Sequence, residues 1–166
     1  MAILLSTTST PTTTAPSTTK EETTKKETTK KETTTEKETT TKYNKTEYSK
    51  NEGSNVITGF DPDASNVTYM GNFKLTAYCP CYSCSEGYGN NTASGKKAKP
   101  NHTIAVDPKV IPYGTKVIIE RNGVYYEYVA EDCGGAIKNK IIDIYFGSHS
   151  ETTNFGVRYG NVYVVK

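Results

Sequence analysis

The chain has 166 residues, with 20 basic and 18 acidic side chains and a formal net charge of +2. That balance supplies no electrostatic case for nucleic acid as a partner. No run of about 18 apolar residues is present, so no stretch qualifies as a membrane-spanning helix.

Two kinds of sequence follow one another. Residues 1–53 are dominated by Thr, Lys, Glu and Ser, with ETTKK at 22–26 and again at 27–31 and the related ETTTE at 32–36. Such a segment buries too little apolar surface to offset its ordering entropy, and it is expected to be a disordered tether. A charged single helix is the alternative, against which the many Thr residues argue. The opening MAILLS is too short, and lacks the basic start, for an export signal. A Thr-rich tether between a surface-attached part and a working part nevertheless points to an extracellular or cell-wall setting. Residues 54–69 form a lead-in. The remainder, 70–166, is rich in Tyr, Val, Ile and Gly, enough for one compact domain.

Short β-rich runs separated by turn residues predict an all-β barrel or sandwich. Phe73–Tyr78 alternates cleanly, and Thr103–Asp107 is a second strand stopped by Pro108. Ile111-Pro112-Tyr113-Gly114 is a turn candidate with Pro at its second position. Lys116–Glu120 and Val124–Ala130 flank Asn122-Gly123, a strong hairpin signal. Ile141–Phe146 and Asn161–Val165 supply the last strands. One helix is expected after Ser148, where Ser148-His149-Ser150-Glu151 has the form of a capping box and Gly156 can close it.

Three aspartates fall at strand positions or strand ends: Asp107, Asp132 and Asp143. Asp143 interrupts an otherwise apolar strand, where a carboxyl is costly unless paired, hydrogen-bonded or protonated. Carboxylates gathered inside a barrel repel, one pKa rises, and that group can hold a proton near neutral pH. This is equipment for acid–base work on a glycosidic oxygen. The structural alternative is that Asp107 caps the turn before Pro108 and Asp132 orders the Gly134-Gly135 loop. Cys79, Cys81, Cys84 and the remote Cys133 suit a structural zinc site of four thiolates. One or two disulfides, or free buried thiols, are the other two possibilities. In either bonded case Cys133 would tie the Asp132 loop to the Cys79–Cys84 loop. His149, at the expected helix start, stands either where it could line a cleft or exposed in the first turn.

The stretches Thr76-Ala77-Tyr78, Thr92-Ala93-Ser94-Gly95, Thr103–Pro108, Val110–Thr115, Ala130–Lys138, Ile142–Phe146 and Phe155–Arg158 together resemble the 3D domain. That family, named for three aspartates, occurs in bacterial cell-wall proteins. Among them are stationary-phase muralytic proteins and the catalytic part of the membrane-bound lytic transglycosylase A type. The resemblance runs in order over about residues 70–166. It implies a double-psi β-barrel and non-hydrolytic cleavage of peptidoglycan glycan strands by a monomer, with no catalytic cofactor. Asp143 is implied as acid and base, with Asp132 and Asp107 in support. Thr92, Ser94, Lys138 and His149 are candidates for contacting the glycan. The sequence departs from the family at Asn139, where Gly is common; Asn tolerates the left-handed conformation, so the turn is expected to survive. Zinc against disulfide for the cysteines is left open by the resemblance.

Overall fold

A computed structural model describes residues 48–166. The expected tether therefore lies outside the described residues except for its last six positions. Eight strands and two short helices follow in order: β1 (Ser49–Lys50), β2 (Val56–Thr58), β3 (Val67–Tyr78), α1 (Tyr82–Ser85), β4 (Thr103–Ala105), β5 (Lys116–Arg121), β6 (Val124–Asp132), β7 (Ile141–Tyr145), α2 (His149–Phe155) and β8 (Arg158–Val165). The sheet order is β1-β2-β6-β4-β7-β3-β8-β5, and β5 also pairs with β6. Six strands thus close into a barrel, β6-β4-β7-β3-β8-β5, with β1 and β2 as an arm on β6. Parallel pairings of β3 with β7 and of β4 with β6 are set among antiparallel ones, as expected of the double-psi class. Among the described residues no helix is long and apolar enough to cross a membrane.

Period-2 alternation fills the barrel. Phe73, Leu75, Ile104, Val117, Ile119, Tyr128, Ala130, Ile142, Ile144 and Val162 point inward and form the main core. Closure removes the open edges that isolated strands would present. The β5–β6 hairpin turns at Asn122-Gly123, both at positive φ, the pairing that a two-residue hairpin turn requires. β8 can lie close against β5 because residue 160 is Gly: a Cβ there would sit 2.8 Å from the Glu120 carbonyl oxygen.

Several elements depart from the sequence-based expectation. β3 begins six residues earlier than the clean alternation, because Gly71 sits at a register shift that breaks the pattern. The Pro112 turn lies one residue later than expected: Thr115 N–H donates to the Pro112 carbonyl, and Gly114 carries the positive φ. α1 was not foreseen; it is a single turn inside the cysteine loop. α2 has the expected caps, with the Ser148 hydroxyl accepting from Glu151 N–H and Gly156 N–H closing onto Thr152. Asn139 adopts a φ of 53°, so Asn replaces Gly without loss of the turn.

Candidate active site

The strands β3, β7, β4 and β6 lie side by side, and their register sets a row of side chains across the outside of the barrel. Thr76 pairs with Asp143, Asp143 with Ala105, and Ala105 with Asp132. Partners in register point to the same face. Since Ile142, Ile144 and Ile104 fill the interior, Asp143 and Ala105 must face outward. The carboxylates are therefore not gathered inside the barrel, as the sequence suggested, but on its outer surface.

Asp132 reaches that face through a bulge. Tyr128 and Ala130 point into the core, and plain alternation would send Asp132 after them. The register shifts so that Ile104 pairs with Ala130 but Ala105 with Asp132. Glu131 is the extra residue, and the bulge turns Asp132 outward. Asp132 and Asp143 then flank Ala105 from its two neighbouring strands, about 10 Å apart at the backbone from ordinary strand spacing. The small Ala105 side chain leaves the space between them open.

The excursion from Cys79 to Asn101 covers this face. Tyr78, Ala98, Ala105 and Tyr145 form a second apolar cluster beneath it. The strand reads as continuously apolar because both of its faces are covered. A cavity of about 720 Å3 remains, lined by Tyr78, Ala105, Asp132 and Asp143 on the barrel side and by Tyr88, Thr92, Ala93 and the 133–138 loop around it. Asp143 accepts a hydrogen bond from the Thr76 hydroxyl at 2.7 Å. Burial pushes the Asp143 carboxyl above the usual carboxylate range, and the Asp132 charge adds to this against the opposing Thr76 bond.

Asp132 is held by three donors: the Tyr78 hydroxyl at 2.8 Å, Ala93 N–H at 2.9 Å and Cys133 N–H at 2.9 Å. The Tyr78 phenol is pushed far above its ordinary value by burial and by this bond to Asp132, so it acts as a fixed donor. Tyr78 and Thr76 carry roles that sequence reading did not assign. Their signal was available, because both alternate on the strand Phe73–Tyr78, but the facing aspartates could not be matched without the register.

Asp107 is placed differently. Its two oxygens accept from Lys109 N–H at 3.1 Å and Asn139 N–H at 3.0 Å. These bonds, the Asn139 one foremost, hold its carboxyl below the ordinary value. It does not line the cavity. Asp107 ties the turn after β4 to the turn before β7. Thr92 lines the cavity, yet its hydroxyl closes a turn onto Lys96 and lies 3.1 Å from that of Ser94. Lys138 is exposed at the rim, its ammonium on the Gly134 carbonyl at 3.1 Å. Glu131, unmarked in the sequence, is buried. It accepts from Thr103 at 2.7 Å and Lys96 at 3.0 Å. Burial acts to raise its pKa, but these partners and His102 outweigh it and the net shift is downward.

The cysteines do not group as expected. Cys79, Cys81 and Cys84 come together, but Cys133 is outside that group and exposed, with all four thiols free. The bulge that turns Asp132 toward the cavity leaves the next side chain, Cys133, at the cavity edge beside the Tyr113 hydroxyl and not among the three thiols. His149 does not line the cavity; its Nδ1 faces the thiols of Cys84 and Cys81 at 3.3 and 3.6 Å.

The cell wall-binding protein YocH of Bacillus subtilis is 40% identical over 96 residues, which is 55% of this chain and 32% of that one. The Escherichia coli protein MltA, in a crystal structure with bound chitohexaose, is 33% identical over 46% of this chain and 27% of that one, with a TM-score of 0.40. The lytic transglycosylase LtgG of Burkholderia pseudomallei is 26% identical over 45% of this chain and 25% of that one, with a TM-score of 0.39. This chain spans about a third or less of the length of the curated relatives it matches. The family model described as the 3D domain matches residues 102–166, which include Asp107, Asp132 and Asp143.

Proposed function

We propose that the domain is a lytic transglycosylase of bacterial cell-wall glycan, working in the cell envelope, with Asp143 as both acid and base. The observation that carries this is a carboxyl facing a cavity of about 720 Å3, with burial and a neighbouring carboxylate favouring its protonated form. A general acid needs a pKa lifted toward the working pH.

Asp143 gives its proton to the oxygen joining MurNAc to GlcNAc. The bond from that oxygen to the MurNAc anomeric carbon breaks, and its electron pair stays with the GlcNAc oxygen. The MurNAc ring is left with oxocarbenium character. The Asp143 carboxylate then takes the proton of the same sugar's 6-hydroxyl, and that oxygen closes on the anomeric carbon. A 1,6-anhydro end results, Asp143 ends as it began, and no water is consumed. Asp132, fixed by Tyr78, Ala93 and Cys133, places negative charge beside the developing cation and disfavours early ionisation of Asp143. Asp107 acts through the loops it joins. Thr92 lines the wall of the cavity, Ser94 touches it only through the Thr92 hydroxyl, and Lys138 stands at its mouth.

The second reading is a wall-binding module that does not cut. It draws on the Bacillus subtilis relative, whose name is that of a cell wall-binding protein. A hydrolytic muramidase is the third. Digestion of purified peptidoglycan, with fragments weighed by mass spectrometry, separates them. Anhydro ends, one water lighter than hydrolytic products, are expected. Reducing ends alone would make the protein a hydrolase. Wall retention without released fragments would make it a binding module.

A further inference from the structure

The geometry points to a structural zinc site formed by Cys79, Cys81, Cys84 and His149, with Cys133 left out. This is independent of the catalytic reading. The three thiol sulfurs and one imidazole nitrogen all lie within 4.8 Å of one another. Cys79 Sγ and Cys81 Sγ are 3.3 Å apart, and His149 Nδ1 is 3.3 Å from Cys84 Sγ and 3.6 Å from Cys81 Sγ. A tetrahedral zinc with Zn–S of about 2.3 Å and Zn–N of about 2.0 Å would set S–S edges of about 3.8 Å and S–N edges of about 3.5 Å. The four atoms already outline that shell.

The chain builds each corner separately. Cys79 is buried at the end of β3. Cys81 occupies the N-cap of α1 and Cys84 lies within it. Backbone N–H groups of Cys81 and Cys84 are directed at the sulfurs of Cys79 and Cys81. His149 comes from the other end of the domain. It is the first residue of α2, and the Ser148 cap and the hydroxyls of Thr152 and Thr153 on the His149 carbonyl fix its backbone. Nothing in the local sequence around His149 resembles a metal motif, so only the fold reveals the fourth corner. A disulfide among the thiols would leave an odd sulfur and the imidazole unexplained, and one intervening residue between Cys79 and Cys81 suits a bridge poorly.

Soft thiolates with one imidazole in tetrahedral array select zinc among abundant ions. Binding replaces three thiol protons with the ion and releases them to solvent. Four protein ligands leave no open position, so the role is structural. The ion would join the cysteine loop to α2 and hold one wall of the cavity. Cys84 lines that cavity, and Cys79 directly follows Tyr78, which holds Asp132.

The full chain, produced with zinc and a thiol reductant, should contain about one zinc per molecule by plasma mass spectrometry. In competition with a chromophoric chelator, His149→Ala should lower zinc affinity at least about tenfold. Cys133→Ser should bind zinc as the parent does. Cobalt substituted into the parent chain should give charge-transfer and ligand-field bands of a three-thiolate, one-nitrogen site, a readout that stands even if His149→Ala fails to fold. The proposal is overturned by any of three results. These are a reduced parent chain that takes up no zinc, metal lost in Cys133→Ser but kept in His149→Ala, and peptide mapping that finds Cys79, Cys81 or Cys84 in a disulfide in the freshly isolated protein.

Discussion

The two covered outer faces of the barrel differ in what lies under the cover. On one, the arm from Tyr48 to Asn66 lays Ile57 and Phe60 over Ile118, with Tyr48, Tyr125 and Tyr163 around them. The Phe60 ring lies 5.0 to 5.8 Å from those three tyrosine rings. On the other, the Cys79–Asn101 excursion covers Tyr78, Ala105 and Tyr145 but leaves a cavity with two carboxyls at its floor. Both covers make the strands beneath them two-sided. The first is filled with rings and serves stability. The second is left unfilled at Ala105, and the polar groups exposed there give up packing for chemistry. Substitutions on the two faces should therefore fail in opposite ways.

The largest effect is expected at Asp143→Asn. The amide keeps the shape but neither gives nor takes the proton, so glycan cleavage should fall by about 100- to 10,000-fold, measured as fragment release from purified peptidoglycan. Stability should not fall with it. Asp143 has a raised folded pKa, so the native state binds more protons than the unfolded chain above about pH 4. Wild-type stability then drops as pH rises through that window, and the Asn variant has no such loss. The Tm difference, variant minus wild type, should grow from pH 4 to pH 7. A folded variant with near-normal rate would move the chemistry to another carboxyl.

The mirror experiment is Phe60→Ala. Phe60 is buried among three tyrosines, and deletion of its ring should cost about 3–5 kcal/mol by denaturant titration. Turnover of the molecules still folded should be unchanged. A variant with intact stability but lost activity would mean the filled face, not the open one, meets the glycan.

What could be read from the sequence follows the same division. The strand Phe73–Tyr78 was legible because a barrel interior imposes period 2, Lys116–Glu120 and Ile141–Phe146 because they are short runs rich in β-branched residues between turn signals, and Asn122-Gly123 because a tight hairpin demands positive φ. The capping box before α2 was legible because it is local. Asp143 stood out as a carboxyl in an apolar strand. Its direction did not, since a strand covered on both faces carries no alternation to show which side is the interior. The bulge at Glu131 has no local signature, so neither the outward turn of Asp132 nor the departure of Cys133 could be foreseen. His149 is 65 residues from Cys84, the nearest in the chain of the three thiols it joins, a separation that only the closed barrel spans. The arm was hidden for another reason: Tyr48, Ser49 and Lys50 share the composition of the preceding tether, yet β1 pairs with β2 and Tyr48 packs on Phe60.

Tyr78→Phe tests the polar floor of the open face. It removes the hydroxyl that donates to Asp132 and leaves the ring against Tyr145. Asp132 keeps its two backbone donors, so the stability cost should be about 1–2 kcal/mol. Activity should fall less than in Asp143→Asn, with the pH–rate profile displaced, because the carboxylate beside Asp143 loses one of its restraints. An unchanged profile would separate Tyr78 from the acid–base apparatus and leave it a packing role.

The smallest effect is expected at the edge of the filled face, in Tyr48→Phe. The ring stays on Phe60, but the hydroxyl that donates to Glu127 is lost. Glu127 retains Lys50 and Lys116, each at 3.3 Å, and the site is partly open to solvent. The cost should be only about 1 kcal/mol. Its pH dependence identifies the cause. Burial acts to raise the Glu127 pKa, but Tyr48 and the two lysines lower it further, and the net shift is downward. A carboxylate with a depressed folded pKa contributes stability above its unfolded value that is lost as pH falls through the folded one. The wild-type advantage over Tyr48→Phe should therefore be full near pH 7 and shrink on acidification below about pH 4. A difference that stays constant with pH would assign the role of Tyr48 to its ring alone. The arm would then be held to the barrel by packing, by the β2–β6 pairing and by Lys50 on Glu127, with the Tyr48 hydroxyl contributing nothing.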